Sequence, residues 1–318
     1  MFLRAQTAAA KAVMKAFPRY GRIDDLHLQE VFNHDIYTQA TAERQYEIQI
    51  ESAQFTYDYE KYAISTFDHY FPFIDTAALR GGTALDLGSF SGGRMVYWAE
   101  RYGFRDARGI DVETVYAEAG NRFAATKGVN AQFTTGFGEH LPYDSNVFDV
   151  IVSLDVFEHV QDVTKVVAEA WRVLKPGGRL LTVFPPYFNP LEAHLALATR
   201  ALALHWFFSG RALTAAYYDI LAERGESARW YARADREPRA WERSPFLNGI
   251  TCAKFRQIVR DHGRWNMIHW DVNSLVSHGR RSKLEPFRTL ARVLKIPAGL
   301  PVLEELFLGR VVCALEKR

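Results

Sequence analysis

The chain has 318 residues, 48% of them hydrophobic, which is enough apolar material for one large domain or for a core with elaborations. Its formal net charge of +2 is too balanced for a dedicated nucleic-acid binder, so no stable nucleic-acid partner is expected. Two cysteines, Cys252 and Cys313, offer neither metal-ligand spacing nor a disulfide framework, which fits a reducing compartment and an expected cytoplasmic location.

Met1 to Phe17 contains no acid and carries Arg4, Lys11 and Lys15; it reads as an N-terminal helix, with a transit peptide or an interfacial helix as the alternatives. Residues 41 to 79 form a longer helical region in which Tyr46, Phe55, Tyr57, Tyr59, Tyr62 and Phe67 recur. Aromatic positions at helical spacing normally fill a core; the competing reading is a lid over a substrate, with Tyr57 as the candidate contact. Residues 1–79 are thus expected to form a helical cap.

Thr83 to Leu87 is a short apolar run of the kind a doubly buried strand shows, and Met95, Trp98, Ala99 and Tyr102 then recur at helical spacing. The intervening Gly88-Ser-Phe-Ser-Gly-Gly93 is a strand-to-helix turn, where glycine permits close backbone approach and the helix start offers N–H donors. Asp86 and Asp111 lie at the tips of the first two strands, and Asp111 follows the turn by about 20 residues, the separation at which an acid meets ribose hydroxyls. Phe148 to Asp155 is another interior strand with a polar tip. Val163, Val166, Val167, Ala170, Trp171 and Leu174 then mark a helix up to Lys175-Pro-Gly-Gly178, and Arg179 to Phe184 is a further strand. Such alternation gives a parallel α/β sheet that binds ligands at the carboxyl ends of its strands, where Gly88, Asp111, Phe137 and Asp155 gather.

With Leu141-Pro-Tyr143, Glu158-His-Val160 and Arg172-Val-Leu-Lys-Pro-Gly-Gly178 in order after the glycine turn, the chain resembles the class I S-adenosylmethionine-dependent methyltransferases over residues 80 to 185. The resemblance implies a Rossmann-like, mainly parallel seven-stranded sheet with helices on both faces, and S-adenosylmethionine as cofactor. It also implies that Asp86, Gly88, Ser89 and Gly92 hold the methionine end, Asp111 the ribose, and Phe137 and Gly138 the adenine, with Asp155 beside the same crevice. Two positions depart from the family pattern. Phe90 replaces the middle glycine of the usual Gly-x-Gly-x-Gly, so its side chain must turn away from the cofactor. Phe137 stands where an acid commonly meets the adenine amino group, so that bond is lost, moved to Glu139, or replaced by ring stacking, the reading preferred here.

The implied chemistry is in-line displacement at a sulfonium methyl, which needs alignment and desolvation and, for an alcohol acceptor, a base. His159, just past the fourth strand, and His194, in the segment leaving the fifth, are the candidates. Glu158-His-Val160 could equally fix a turn, and His194 could equally start a helix. No metal site is expected from Asp155, Glu158 and His159, since a carboxylate-rich turn without a metal is the commoner arrangement.

Pro185 to Gly249 is too long for a plain connection, so residues 186–249 are expected to be a mostly helical substrate-recognition insertion, with Tyr187 and His194 among its substrate contacts. Its aromatic residues beside scattered arginines suit a small-molecule, glycan or lipid-linked acceptor. The longest apolar stretch, Leu195 to Phe208, is broken by Arg200 and His205 and is too short to span a bilayer, leaving peripheral contact as the membrane option. Residues 250–318 should complete the core: a helix capped by Thr251 and running to His262, a strand from Trp265 to Asp271, and a last strand from Arg310 to Glu316. Between these strands the family usually has a tight hairpin, whereas this chain has an insertion at about 272–308. Within it, Ser277 to Lys295 holds Arg280, Arg281, Lys283, Arg288, Arg292 and Lys295 against Glu285, a solvated face or an anion-binding one.

The leading expectation is O-methylation of such an acceptor. RNA or protein methylation, a silent nucleoside-binding module and a nicotinamide-dependent oxidoreductase are the alternatives; the last expects a glycine where Phe90 stands. The sequence leaves the oligomeric state open, a homodimer being one arrangement.

Overall fold

In a computed structural model of the protein, the structure describes residues 2–19, 34–190, 194–226, 242–243, 246–274, 289, 293, 304–305 and 308–318. The longer helices are α1 (Phe2–Ala16), α2 (Ala42–Asp58), α3 (Gly93–Tyr102), α4 (Thr114–Lys127), α5 (Val163–Val173), α6 (Gly210–Arg224) and α7 (Cys252–His262). The strands are β1 (Thr83–Leu87), β2 (Asp106–Asp111), β3 (Ala131–Thr135), β4 (Phe148–Leu154), β5 (Leu174–Phe184), β6 (Trp265–Ser274) and β7 (Leu308–Lys317). The chain divides into a sheet unit (Ala40–Phe184, Ala253–Asp271, Val311–Arg318) and a helical unit (Met1–Gln39, Pro185–Cys252, Val272–Arg310).

In the sheet unit the strands are ordered β3-β2-β1-β4-β5-β7-β6. Neighbours from β3 to β5 are parallel, and β7 returns antiparallel to β5. The Rossmann-like expectation is met, with the first strand central and the chain switching direction across the sheet between β1 and β4, the place where such sheets open a ligand crevice. Side-chain alternation explains the two faces. Ala84, Val150, Val152, Leu181, Val183, Val312 and Ala314 point into one core with Ala53 of α2, Met95 and Trp98 of α3 and Phe123 of α4. On the opposite face Phe255 of α7 packs on Phe184 with ring centroids 4.9 Å apart. β1 is buried along its whole length, which is why Ala84, Leu85 and Leu87 read as an apolar run, with Thr83 at its start and Asp86 inside it.

In the helical unit, α1 buries Ala10 and Met14 against Leu213, Ala216 and Tyr217 of α6. The pairs Gln6–Ser209, Lys11–Asp219 and Lys15–Glu223 advance together along the two helices, so α1 and α6 run parallel.

Several boundaries differ from those expected. The unit boundary falls at 39/40 rather than 79/80, because Ile48, Ala53 and Tyr57 of α2 are buried and α2 packs on α3 and α4. α5 stops at Val173; Leu174 is already extended, and β5 includes the Lys-Pro-Gly-Gly turn, in which Gly177 takes φ +76°. β6 is present and extends to Ser274, three residues beyond Asp271. The basic run 277–295, apart from Thr289 and Val293, lies outside the described residues.

Candidate active site

The glycine turn after β1 is held from both sides. Gly88 and Ser89 donate their N–H groups to the Ile110 carbonyl at 2.9 and 3.0 Å, fastening the turn to the end of β2. Gly88 has φ +75°, and a Cβ there would lie 2.2 Å from Cγ2 of Val156, so the turn also packs directly on the loop after β4. Only glycine satisfies both constraints. Gly92 serves packing: its added Cβ would meet Gly120 Cα at 2.6 Å and the Phe133 ring at 2.7 Å.

Phe90 adopts φ +48°, a left-handed conformation that costs a non-glycine residue about 1 kcal/mol. Two contacts offset this. Its N–H donates to Asp111 Oδ2 at 2.9 Å, and its ring packs on Tyr116 with centroids 4.1 Å apart. The loop therefore keeps the turn of the family while spending the extra side chain on α4.

Asp111 also accepts the Glu113 N–H at 3.1 Å on Oδ1. Burial pushes its carboxyl up to about 6, against the two backbone donors that favour the ionised form and with help from the nearby Glu113 and Asp86 charges. Each oxygen keeps acceptor capacity beyond its single backbone bond, which is what a vicinal diol requires.

Asp86, expected at the methionine end of the cofactor, is engaged by another side chain. It is fully buried, and Arg94 holds both of its oxygens, at 3.1 Å through Nε and 2.7 Å through Nη2. Burial lifts the Asp86 carboxyl above its ordinary value against the pull of Arg94. Arg94 sits in the first turn of α3, where the helix dipole disfavours a cation, so this residue needs its carboxylate partner. Glu60, equally buried, accepts Trp98 Nε1–H at 2.7 Å and both the N–H and hydroxyl of Thr66, at 2.6 and 2.7 Å. This acid drew no notice in the sequence, because it lies inside an aromatic helical run whose pattern signals packing.

On the β3 side, the Phe137 ring is 58% exposed, while Gly138 is buried with its would-be Cβ 3.2 Å from Leu87 Cδ1. Glu139 is engaged by the backbone N–H groups of Gln161, at 2.6 Å, and Asp162, at 3.2 Å. Both of these bonds fall on Oε1, so Glu139 Oε2 and the exposed Phe137 ring both remain open on this side of the sheet.

Past β4, Asp155 has φ +57° and is exposed, its N–H donating to the Val183 carbonyl at 2.9 Å. His159 is partly exposed, with Nε2 3.8 Å from Oε1 of the buried Glu158. Tyr57, the candidate lid contact in a stripe read mainly as core, packs in the core: its hydroxyl donates to Glu100 at 2.5 Å and its ring meets Tyr97 and Phe123 edge-on. Tyr187 and His194 belong to the helical unit. There Tyr187 packs edge-on against His205, whose Nε2–H donates to the Tyr187 carbonyl at 2.6 Å, and His194 takes φ +52°.

The donor set fits S-adenosylmethionine. A tightly packed glycine turn, a strand-end acid with spare acceptor capacity, an exposed ring after β3 and the Ser89 hydroxyl, buried without a partner among the described residues, follow the carboxyl ends of the neighbouring strands β1, β2 and β3.

A methyltransferase-domain family matches residues 85–182. Over 111 residues the chain is 33% identical to a probable chloroplastic tocopherol O-methyltransferase of Oryza sativa, covering 34% of this chain and 30% of that protein. Over 99 residues it is 31% identical to norajmaline N-methyltransferase of Rauvolfia serpentina, covering 30% and 34%. The chain thus spans about a third of the length of these curated relatives. A solved S-adenosylmethionine-dependent methyltransferase from Mesorhizobium loti shares the fold with a TM-score of 0.51 at 13% identity, over 80% of this chain and 99% of that one. No helix among the described residues is long and apolar enough to cross a membrane. Residues 85–182 therefore form a methyltransferase domain of the class I, S-adenosylmethionine-dependent type.

Proposed function

We propose that the whole chain is a methyltransferase that methylates an oxygen of a small-molecule, glycan or lipid-linked acceptor. The observation that carries the catalytic reading is the Gly88–Asp111 arrangement, in which one turn is anchored to Ile110 while the Phe90 N–H fixes the strand-end carboxylate that would hold the ribose hydroxyls. S-adenosylmethionine supplies, when bound, an electrophilic methyl on a positively charged sulfur. The protein's part is to fix that group and to exclude water while an acceptor approaches in line.

Oxygen is favoured by His159 beside Glu158. A neutral imidazole accepts the proton an alcohol loses, and a buried carboxylate 3.8 Å away would stabilise the cation formed through its charge. His194 is retained as the second base candidate and, with Tyr187, as an acceptor contact in the helical unit. Matches to both an O- and an N-methyltransferase leave the acceptor atom to experiment. The acceptor itself is sought by comparing metabolites and glycans of a deletion strain and its parent for a lost methyl. With that acceptor in hand, His159→Gln should lower kcat by about 10²-fold or more while leaving S-adenosylhomocysteine affinity unchanged. An unchanged kcat would remove His159 as the base.

A further inference from the structure

The helical unit carries a surface that methyl transfer does not explain. Because α1 and α6 run parallel and meet at Gln6 and Ser209, 2.8 Å apart, their N-terminal turns lie at the same end of the unit. Phe2 is 76% exposed at the start of α1, and Phe207 is 73% exposed two residues before the Ser209 cap of α6. Leu3, beside Phe2, is also exposed, and Trp206 packs against Phe207 with ring centroids 6.5 Å apart. Large side chains left this open cost solubility and usually mark a contact. The charged residues on the first turns of the two helices have one sign. Neither helix has an acid in its first turn, and the exposed charged residues there are Arg4 and Arg211. Lys11 and Lys15, farther along α1, are instead neutralised by Asp219 and Glu223 of α6. Aromatic side chains that can enter the acyl boundary, beside two exposed arginines on helix turns that carry no acid, are the chemistry of an interfacial anchor.

We propose that this end of the helical unit docks on an anionic lipid bilayer, with Phe2 and Phe207 inserted and Arg4 and Arg211 on lipid phosphates. A second copy of the chain is the less suitable occupant, because a two-fold contact of this patch would bring like charges together. The assignment does not depend on the methyltransferase reading.

The full-length protein is tested by flotation with large unilamellar vesicles of phosphatidylcholine alone and of phosphatidylcholine with phosphatidylglycerol. Binding is expected with the anionic vesicles and much less with the neutral ones, weakening as salt is raised. Phe2→Ser/Phe207→Ser should lower the partition coefficient at least tenfold, and Arg4→Ala/Arg211→Ala should reduce binding to anionic vesicles more than to neutral ones. Because all four side chains are exposed, circular dichroism and melting should match wild type. Failure to bind anionic vesicles, or binding that the Phe pair leaves unchanged, would overturn the proposal. So would a dimer in sedimentation analysis that the Phe pair dissolves while vesicle binding persists, since the patch would then belong to a second copy.

Discussion

The sheet unit and the helical unit handle charge in opposite ways. In the sheet unit, Asp86 and Glu60 are taken fully out of water and each is met by several donors, Arg94 for the first and Trp98 with Thr66 for the second. In the helical unit, Lys11, Lys15, Asp219 and Glu223 pair in the solvent, along a seam between two helices whose packing is apolar. A buried pair adds little net stability over an apolar isostere, but removing one partner leaves a desolvated charge; an exposed pair loses little when broken. The difference teaches that the loop after β1 is set by buried electrostatics, whereas the α1–α6 pair is set by side-chain packing.

The sharpest way to break that comparison is Arg94→Ala. It should destabilise the protein by about 3–5 kcal/mol in chemical unfolding, because it strands the Asp86 carboxylate, and Asp86→Asn in the same chain should recover part of the loss. Lys11→Ala in the seam should leave the unfolding midpoint essentially in place. Equal losses at the two sites would dissolve the contrast.

Next in size is the titration of Asp111. Its folded carboxyl at about 6 lies above the ordinary 3.8, so the native state holds the proton more tightly than the unfolded chain does. The sign follows: stability is greatest when the group is protonated and is lost as pH rises from near 4 through 6. Asp111→Asn cannot ionise, so its melting temperature relative to wild type should climb across that window, by an amount equivalent to about 3 kcal/mol, and flatten above it. A difference independent of pH would mean that Asp111 is well solvated in the ligand-free protein. A smaller effect is expected at Phe137, where replacement by Ala should weaken S-adenosylhomocysteine by about 1 kcal/mol, roughly fivefold, through loss of stacking, with no change in stability because the ring is exposed.

Much of the sheet unit was legible because doubly buried strands write themselves as apolar runs: Thr83–Leu87 is recovered residue for residue, and Phe148–Leu154 within one. The polar contacts were less so. Asp86 and Arg94 are on different elements, and nothing in the 3.6 or 2.0 periods joins them; the one available signal was a cation in the first turn of α3, where the dipole argues for an acid. Phe90 was legible as a departure, but its compensation was not, since the Tyr116 contact depends on how α4 crosses the turn. For Tyr57 the core and lid readings could not be separated in the sequence, because an aromatic at helical spacing has the same pattern whether its stripe faces a substrate or, as here, α3 and α4.

The central claim, that the turn after β1 and the acid ending β2 together hold a nucleoside, is tested most directly by calorimetric titration of S-adenosylhomocysteine into wild type and Asp111→Ala. The account predicts saturable binding to wild type and an affinity lower by about 10- to 100-fold in the variant, the loss of a charged acceptor for ribose hydroxyls. No binding to wild type, or equal affinity in the two proteins, would contradict it.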